Sequence, residues 1–299
     1  MRPTLLRLSA GLAVAALTAG SAHAQTVAQA STMDCSDFQS SPVASTAVCA
    51  PPPVNGLGTQ SGASATLTTV SAGGDVFGAQ LSFRSDDFAG AGANVFDLLT
   101  FSGATSPSQV FVYFLASVDA SALSENENTS AIGHGEVSVG YGSASASVSR
   151  TAMDYYGVDP TITDFSSANL TTDGLIWRAS FAYAGPGAFG ITAGAFGELL
   201  ALGGETPQAG AASGRGMLQL LGFGLADAEG NAITDASCSL RSQTPCTMIG
   251  AAIVTTPEPS TFVLLATALL GVAGMARRRR AKAQARGLRT PPPSSAAAI

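Results

Sequence analysis

The sequence predicts an all-β fold, an antiparallel β-sandwich or jelly roll, with an N-terminal signal peptide before it and a single C-terminal transmembrane helix after it. Three observations lead there. Short alternating apolar runs recur between residues 25 and 255, broken by Gly, Asp, Asn and Pro, and no helical period persists. Charged residues make up only 11% of the chain, which argues against a disordered acidic or basic tail protein. Each end carries an uncharged apolar run next to arginine.

The strands follow in order. Leu175–Tyr183 is the clearest, with Leu175, Trp177, Ala179, Phe181 and Tyr183 on one face and Arg178 and Ser180 on the other. Gln109–Val118 is apolar on both faces and reads as a central buried strand. Ala65–Val70, Val76–Arg84, Glu136–Tyr141, Ser143–Tyr155, Phe189–Ala195, Met217–Ala226 and Met248–Val254 complete the set. Asn94–Phe101 and Glu198–Leu202 read as short helices or strands. Asp173-Gly174 and Glu229-Gly230-Asn231 fall between runs, where hairpin turns belong. No internal repeat is found, which disfavours a propeller or solenoid.

Residues 1–24 read as a secretory signal. Arg2 and Arg7 form the positive region, Leu8–Ala19 the apolar run, and Ala22-His23-Ala24 the small residues that signal peptidase needs, leaving Gln25 first. At the other end, Pro257-Glu258-Pro259 is followed by the apolar run Phe262–Ala276 and then by Arg277, Arg278, Arg279 and Arg280. The prolines keep the preceding segment extended. Fifteen residues at about 1.5 Å each make a helix of roughly 22 Å, a marginal span suited to a temporary anchor. The arginines hold that end in the cytoplasm, so the Pro-Glu-Pro tripeptide faces outward.

This ending resembles the PEP-CTERM sorting signal of exported bacterial proteins, over residues 256–280. The resemblance implies that exosortase, a membrane-embedded cysteine transpeptidase, recognises Pro257, Glu258 and Pro259 and removes the anchor. It gives Arg277–Arg280 the role of cytoplasmic stop. Family members usually end soon after the arginines, whereas residues 281–299 continue here as a basic, Pro- and Ala-rich cytoplasmic tail expected to be disordered. The layout of Phe181–Ile233 also resembles the late part of sandwich ectodomains that accompany this signal. That likeness implies a fold and no activity.

Charge and cysteine usage restrict what the region between the signals does. Residues 25–256 hold five arginines, no lysine and 19 acids, a net charge of −14, which excludes nucleic acid as a partner. The missing lysine also excludes Ser-x-x-Lys acylation, Schiff-base chemistry and a P-loop there. Cys35, Cys49, Cys238 and Cys246 all lie in this region, and an exported protein uses such residues as disulfides. Of three connectivities, Cys35–Cys49 with Cys238–Cys246 closes the shortest loops and is favoured on entropy, the other two remaining open.

The chemical candidates are few. His134, the one histidine after residue 24, sits between glycines in what reads as an exposed loop, without a partner motif. Gly185-Pro186-Gly187-Ala188-Phe189-Gly190 fits G-x-G-x-x-G but opens no helix, so it reads as a turn. Asp227 and Glu229 are the best calcium candidates, with a plain β-turn as the competing account. No other metal or cofactor is expected. The overall expectation is a non-enzymatic surface or extracellular-matrix protein, structural or adhesive, moving through the inner membrane and standing among exopolysaccharide. The alternative is a polysaccharide-binding or polysaccharide-hydrolysing protein with paired carboxylates.

Overall fold

Small side chains at period two build this protein, as its first strand illustrates. In Gln25–Thr32 every second residue (Thr26, Ala28, Ala30, Thr32) is buried, and the residues between them face outward. The computed structural model describes residues 24–51, 58–80, 86–103, 106–125, 127–201 and 208–249. In chain order its strands are β1 (Gln25–Thr32), β2 (Cys35–Ser41), β3 (Ala44–Cys49), β4 (Gly58–Thr66), β5 (Thr69–Gln80), β6 (Asp86–Ser102), β7 (Gln109–Ser124), β8 (Thr129–Tyr141), β9 (Ala144–Tyr155), β10 (Thr161–Ser166), β11 (Leu170–Thr172), β12 (Ile176–Ala182), β13 (Gly187–Ala201), β14 (Gln208–Ala226) and β15 (Ser237–Leu240). No helix occurs among the described residues.

The strands form two stacked antiparallel sheets. The first runs β10-β9-β8-β13-β6-β1-β2, with β15 paired to β6 beyond the end of β1. The second runs β11-β12-β7-β14-β5-β4-β3. Central β7 is flanked by β12 and β14, as its apolar faces predict, and its outward Phe111 lies under the Arg178 guanidinium at 5.1 Å. Trp177, Ala179, Phe181 and Tyr183 face the core, whereas Leu175 lies in the turn before β12 and is 79% exposed.

Inside, one large cluster surrounds Phe114, Phe189 and Phe223, with Phe189 and Phe223 edge to face at 5.0 Å. A smaller cluster contains Val76, Leu199 and small alanines. Between them the sheets close in backbone to backbone. Gly133 and Gly135 of β8 and Gly197 of β13 abut β7 and β14, while Gly74, Gly214 and Gly216 abut the first sheet from the other side. A Cβ at Gly135 would stand 2.6 Å from the Asp119 carbonyl oxygen. Sheets ordinarily stack about 10 Å apart, so only glycine permits this approach.

The structure corrects several sequence readings. Asn94–Phe101 lies within β6 and Glu198–Ala201 ends β13; these runs are strands because each lies between neighbouring strands that satisfy its backbone hydrogen bonds. Ala65–Val70 is interrupted by a turn at Leu67-Thr68, where the Thr66 hydroxyl accepts the Thr69 N–H. Met248 makes only an isolated parallel bridge, to Phe223, and residues 250–254 lie outside the described residues.

Candidate functional site

The chemistry-bearing C-terminal end begins where β15 leaves β6. Cys238 and Cys246 are joined with their Cα atoms 5.6 Å apart, closing an eight-residue separation. The chain then lies along the end of β14 that runs past β5: the Phe223 N–H donates to Thr247 O (2.9 Å) and the Ile249 N–H donates to Phe223 O (2.6 Å). Gly222 and Gly224 make room, since side chains there would strike Thr247 and Ile249. The domain therefore fixes its own exit strand up to Ile249. Pro257, Glu258, Pro259 and Arg277–Arg280 lie outside the described residues, and so does Ala22. Ala24 is buried immediately before β1.

Cys35 and Cys49 are also joined, with Cα atoms 5.8 Å apart, tying β2 of the first sheet to β3 of the second. Both bonds are the sequence-local ones. Beside this staple, the Val48 N–H donates to Asp37 Oδ2 at 3.0 Å and Gln39 donates to Asp37 Oδ1 at 2.8 Å. These hydrogen bonds hold the Asp37 carboxyl below its usual range.

The candidate catalytic and metal-binding groups do not converge. Among the described residues no three His, Cys, Asp or Glu side chains are placed to hold a metal ion. Asp227 accepts both the backbone N–H (2.7 Å) and the side-chain amide (2.9 Å) of Asn231, which lowers its pKa. Both oxygens thus stabilise the turn around Gly230, whose φ is +85°, and Glu229 is exposed at its tip. Asp173 likewise caps its turn, accepting the Leu175 and Ile176 N–H groups.

Among the described residues two carboxylates are buried, Asp87 and Asp154. They share one inward row, with Ala131 and Leu199 between them. Three strand spacings separate them by about 14 Å, beyond the roughly 5–9.5 Å that glycosidase pairs use. Asp154 Oδ2 accepts the Ser124 N–H at 2.7 Å, and its Oδ1 has no hydrogen-bond partner among the described residues.

His134 is not in a loop. It lies in mid β8 on the outer face of the first sheet, because both flanking glycines point into the closely spaced centre. Its ring stacks on Phe196 with centroids 5.2 Å apart, and Nδ1 pairs with Thr151 Oγ1 at 2.8 Å. Nε2 is 3.7 Å from Glu136. A hydroxyl, not a carboxylate, meets Nδ1, which is not the arrangement that orients a triad base. The G-x-G-x-x-G run enters β13 through a turn at Gly185, whose carbonyl oxygen accepts the Tyr141 hydroxyl hydrogen bond. Sequence reading missed one surface feature. On the same outer face, paired Gly92 and Gly194 leave an open floor between strands, with exposed Phe96 further along β6.

These features define a class: a disulfide-stapled, all-β domain whose distinctive chemistry lies in the segment after its last strand. The PEP-CTERM protein-sorting motif matches residues 255–280, six residues beyond Ile249. The chain thus carries a PEP-CTERM protein-sorting motif at this end, and the motif implies export and targeting to exosortase. It fits a terminal membrane-spanning segment. No curated protein matches the chain.

Proposed function

We propose that the protein is a structural or adhesive component of the cell surface or extracellular matrix. Signal peptidase cleaves after Ala24, the apolar run Phe262–Ala276 holds the chain in the inner membrane, and exosortase processes it at Pro257-Glu258-Pro259. The observation that carries this reading is the motif at residues 255–280, shortly after a disulfide-stapled segment that hydrogen-bonds to β14 as far as Ile249. Two local disulfides support an oxidising destination. Cleavage after Ala24 leaves β1 whole, which supports the N-terminal assignment. The wide separation of the buried carboxylates favours a scaffold over a hydrolase.

Replacing Pro257, Glu258 and Pro259 with alanine tests the route. Mass spectrometry of membrane and released fractions, with and without exosortase, should show an uncut, membrane-held chain for the variant. Arrival at the usual destination with the usual mass would sink the reading.

Glycan binding is the second reading, and the open Gly92–Gly194 floor near exposed Phe96 speaks for it. Retention on exopolysaccharide that Phe96→Ala abolishes, without turnover, would select it over both a pure scaffold and a hydrolase.

A further inference from the structure

The two lateral sides of the sandwich are treated differently. On one side, β2 and β3 are sealed together: the Cys35–Cys49 bond joins them, and the Asp37 carboxylate takes the Val48 N–H. On the other side, β10 ends the first sheet with all six residues exposed, including Ile162 (58%) and Phe165 (56%). The Ser167 N–H donates to Ser147 O, so by antiparallel alternation Thr161, Thr163 and Phe165 bond toward β9. The N–H and C=O groups of Ile162, Asp164 and Ser166 consequently point outward. Proteins usually blunt such an edge with lysine, and residues 25–256 contain none.

We propose that β10 is a self-association edge, which pairs antiparallel with β10 of a second copy to continue the first sheet across a two-fold axis. The charge on the edge is already balanced. Arg150 grips Asp164 through Nε–Oδ1 (2.6 Å) and Nη2–Oδ2 (2.9 Å), so a domain that elsewhere repels its copies presents a neutral pair here. Of the symmetric registers that bring outward-pointing groups together, two overlap five of the six residues, those centred on Thr163 and on Asp164. Centring on Asp164 sets that residue against its own copy, and like charges directly opposite are disfavoured. Centring on Thr163 places Thr163 against Thr163, Ile162 beside Asp164, and Phe165 against Thr161, burying both exposed apolar side chains. Pro160, just before the strand, has no N–H to give and ends the ladder there. The strand is its own complement, and a second copy needs no induced change to fit it.

The full chain, sorting motif included and kept in its membrane or in detergent, provides the test. Thr163→Cys places two thiols at a non-hydrogen-bonded pair, about 4.5 Å between Cα atoms, so oxidation should yield a covalent dimer. Ser40→Cys on the sealed β2 side is the control and should yield none. Thr163→Lys puts two cations face to face and should weaken the dimer at least about tenfold by sedimentation, while the two native disulfides still form. A monomeric wild-type chain, or cross-linking at Thr163→Cys no greater than at Ser40→Cys, overturns the proposal. Failure here leaves the sorting route untouched, because processing is read separately by mass.

Discussion

Gly197 of β13 and Ala212 of β14 face each other so closely that a Cβ on the glycine would lie 2.5 Å from the Ala212 carbonyl oxygen. The obstacle is backbone within paired strands, which cannot swing aside as a side-chain tip can. Gly197→Ala should therefore destabilise the protein by about 3 kcal/mol, at the high end for overpacking. For a domain of this size that corresponds to a drop of roughly 6–12 °C in Tm, measurable by calorimetry. Gly135→Ala should behave alike, and an unchanged Tm for both would show that the sheets separate freely.

Gly92 and Gly194 provide the contrast. A Cβ at either position meets nothing within 4 Å. Alanine there reduces the freedom of the unfolded chain and adds a side chain without a clash. Gly92→Ala and Gly194→Ala should be neutral or stabilising by up to about 1 kcal/mol, read as an unchanged or raised denaturation midpoint. A loss comparable to that at Gly197 would mean the outer face is covered.

The legibility of the fold tracks side-chain size. Leu175–Tyr183 was readable because Trp and Phe alternate with Arg and Ser. By contrast β1, TVAQAST after its Gln, alternates Ala and Thr with Gln and Ser, a contrast too faint to separate from a loop. Asn94–Phe101 was ambiguous since Phe96 and Leu98 face outward while Val95 and Leu99 face the core. The close approach of the sheets did leave a signal. Gly133-His134-Gly135 and Gly214-Arg215-Gly216 each repeat glycine at period two, which places both glycines of a pair on one face of a strand. Isolated in one sequence, such a triplet looks like a loop; its meaning depends on a second triplet some 80 residues away along the chain. The sorting signal was legible because it is local and linear. Edge strand β10 was not, since exposure is a property of the sheet order.

Removing each disulfide separately should distinguish their roles. Loop-closure entropy assigns about 3 kcal/mol to the Cys35–Cys49 bond and about 2.5 kcal/mol to Cys238–Cys246. Cys35→Ser with Cys49→Ser should lower global stability and expose the β2 and β3 edges. Cys238→Ser with Cys246→Ser should free the exit segment, seen as faster hydrogen exchange at Phe223 and Ile249, whose amides bond that segment to β14. Equal exchange at those two amides in both double variants would contradict the assignment.

Burial, and secondarily neighbouring Tyr183, pushes the Tyr141 hydroxyl up to about 12. In the unfolded chain it titrates near 10. The folded state thus favours the protonated phenol, which donates to the Gly185 carbonyl oxygen. This contribution is complete below pH ~10 and disappears as the pH rises from there through about 12. Burial raises the Tyr113 hydroxyl in the same direction against the pull of Arg178, so it adds to the alkaline loss. Tyr141→Phe should cost about 1 kcal/mol at neutral pH through the lost hydrogen bond. It should also make the alkaline decline shallower without abolishing it, Tyr113 supplying the remainder. Circular dichroism melts across the alkaline range provide the check: a decline as steep in Tyr141→Phe as in the wild type would remove Tyr141 from the account.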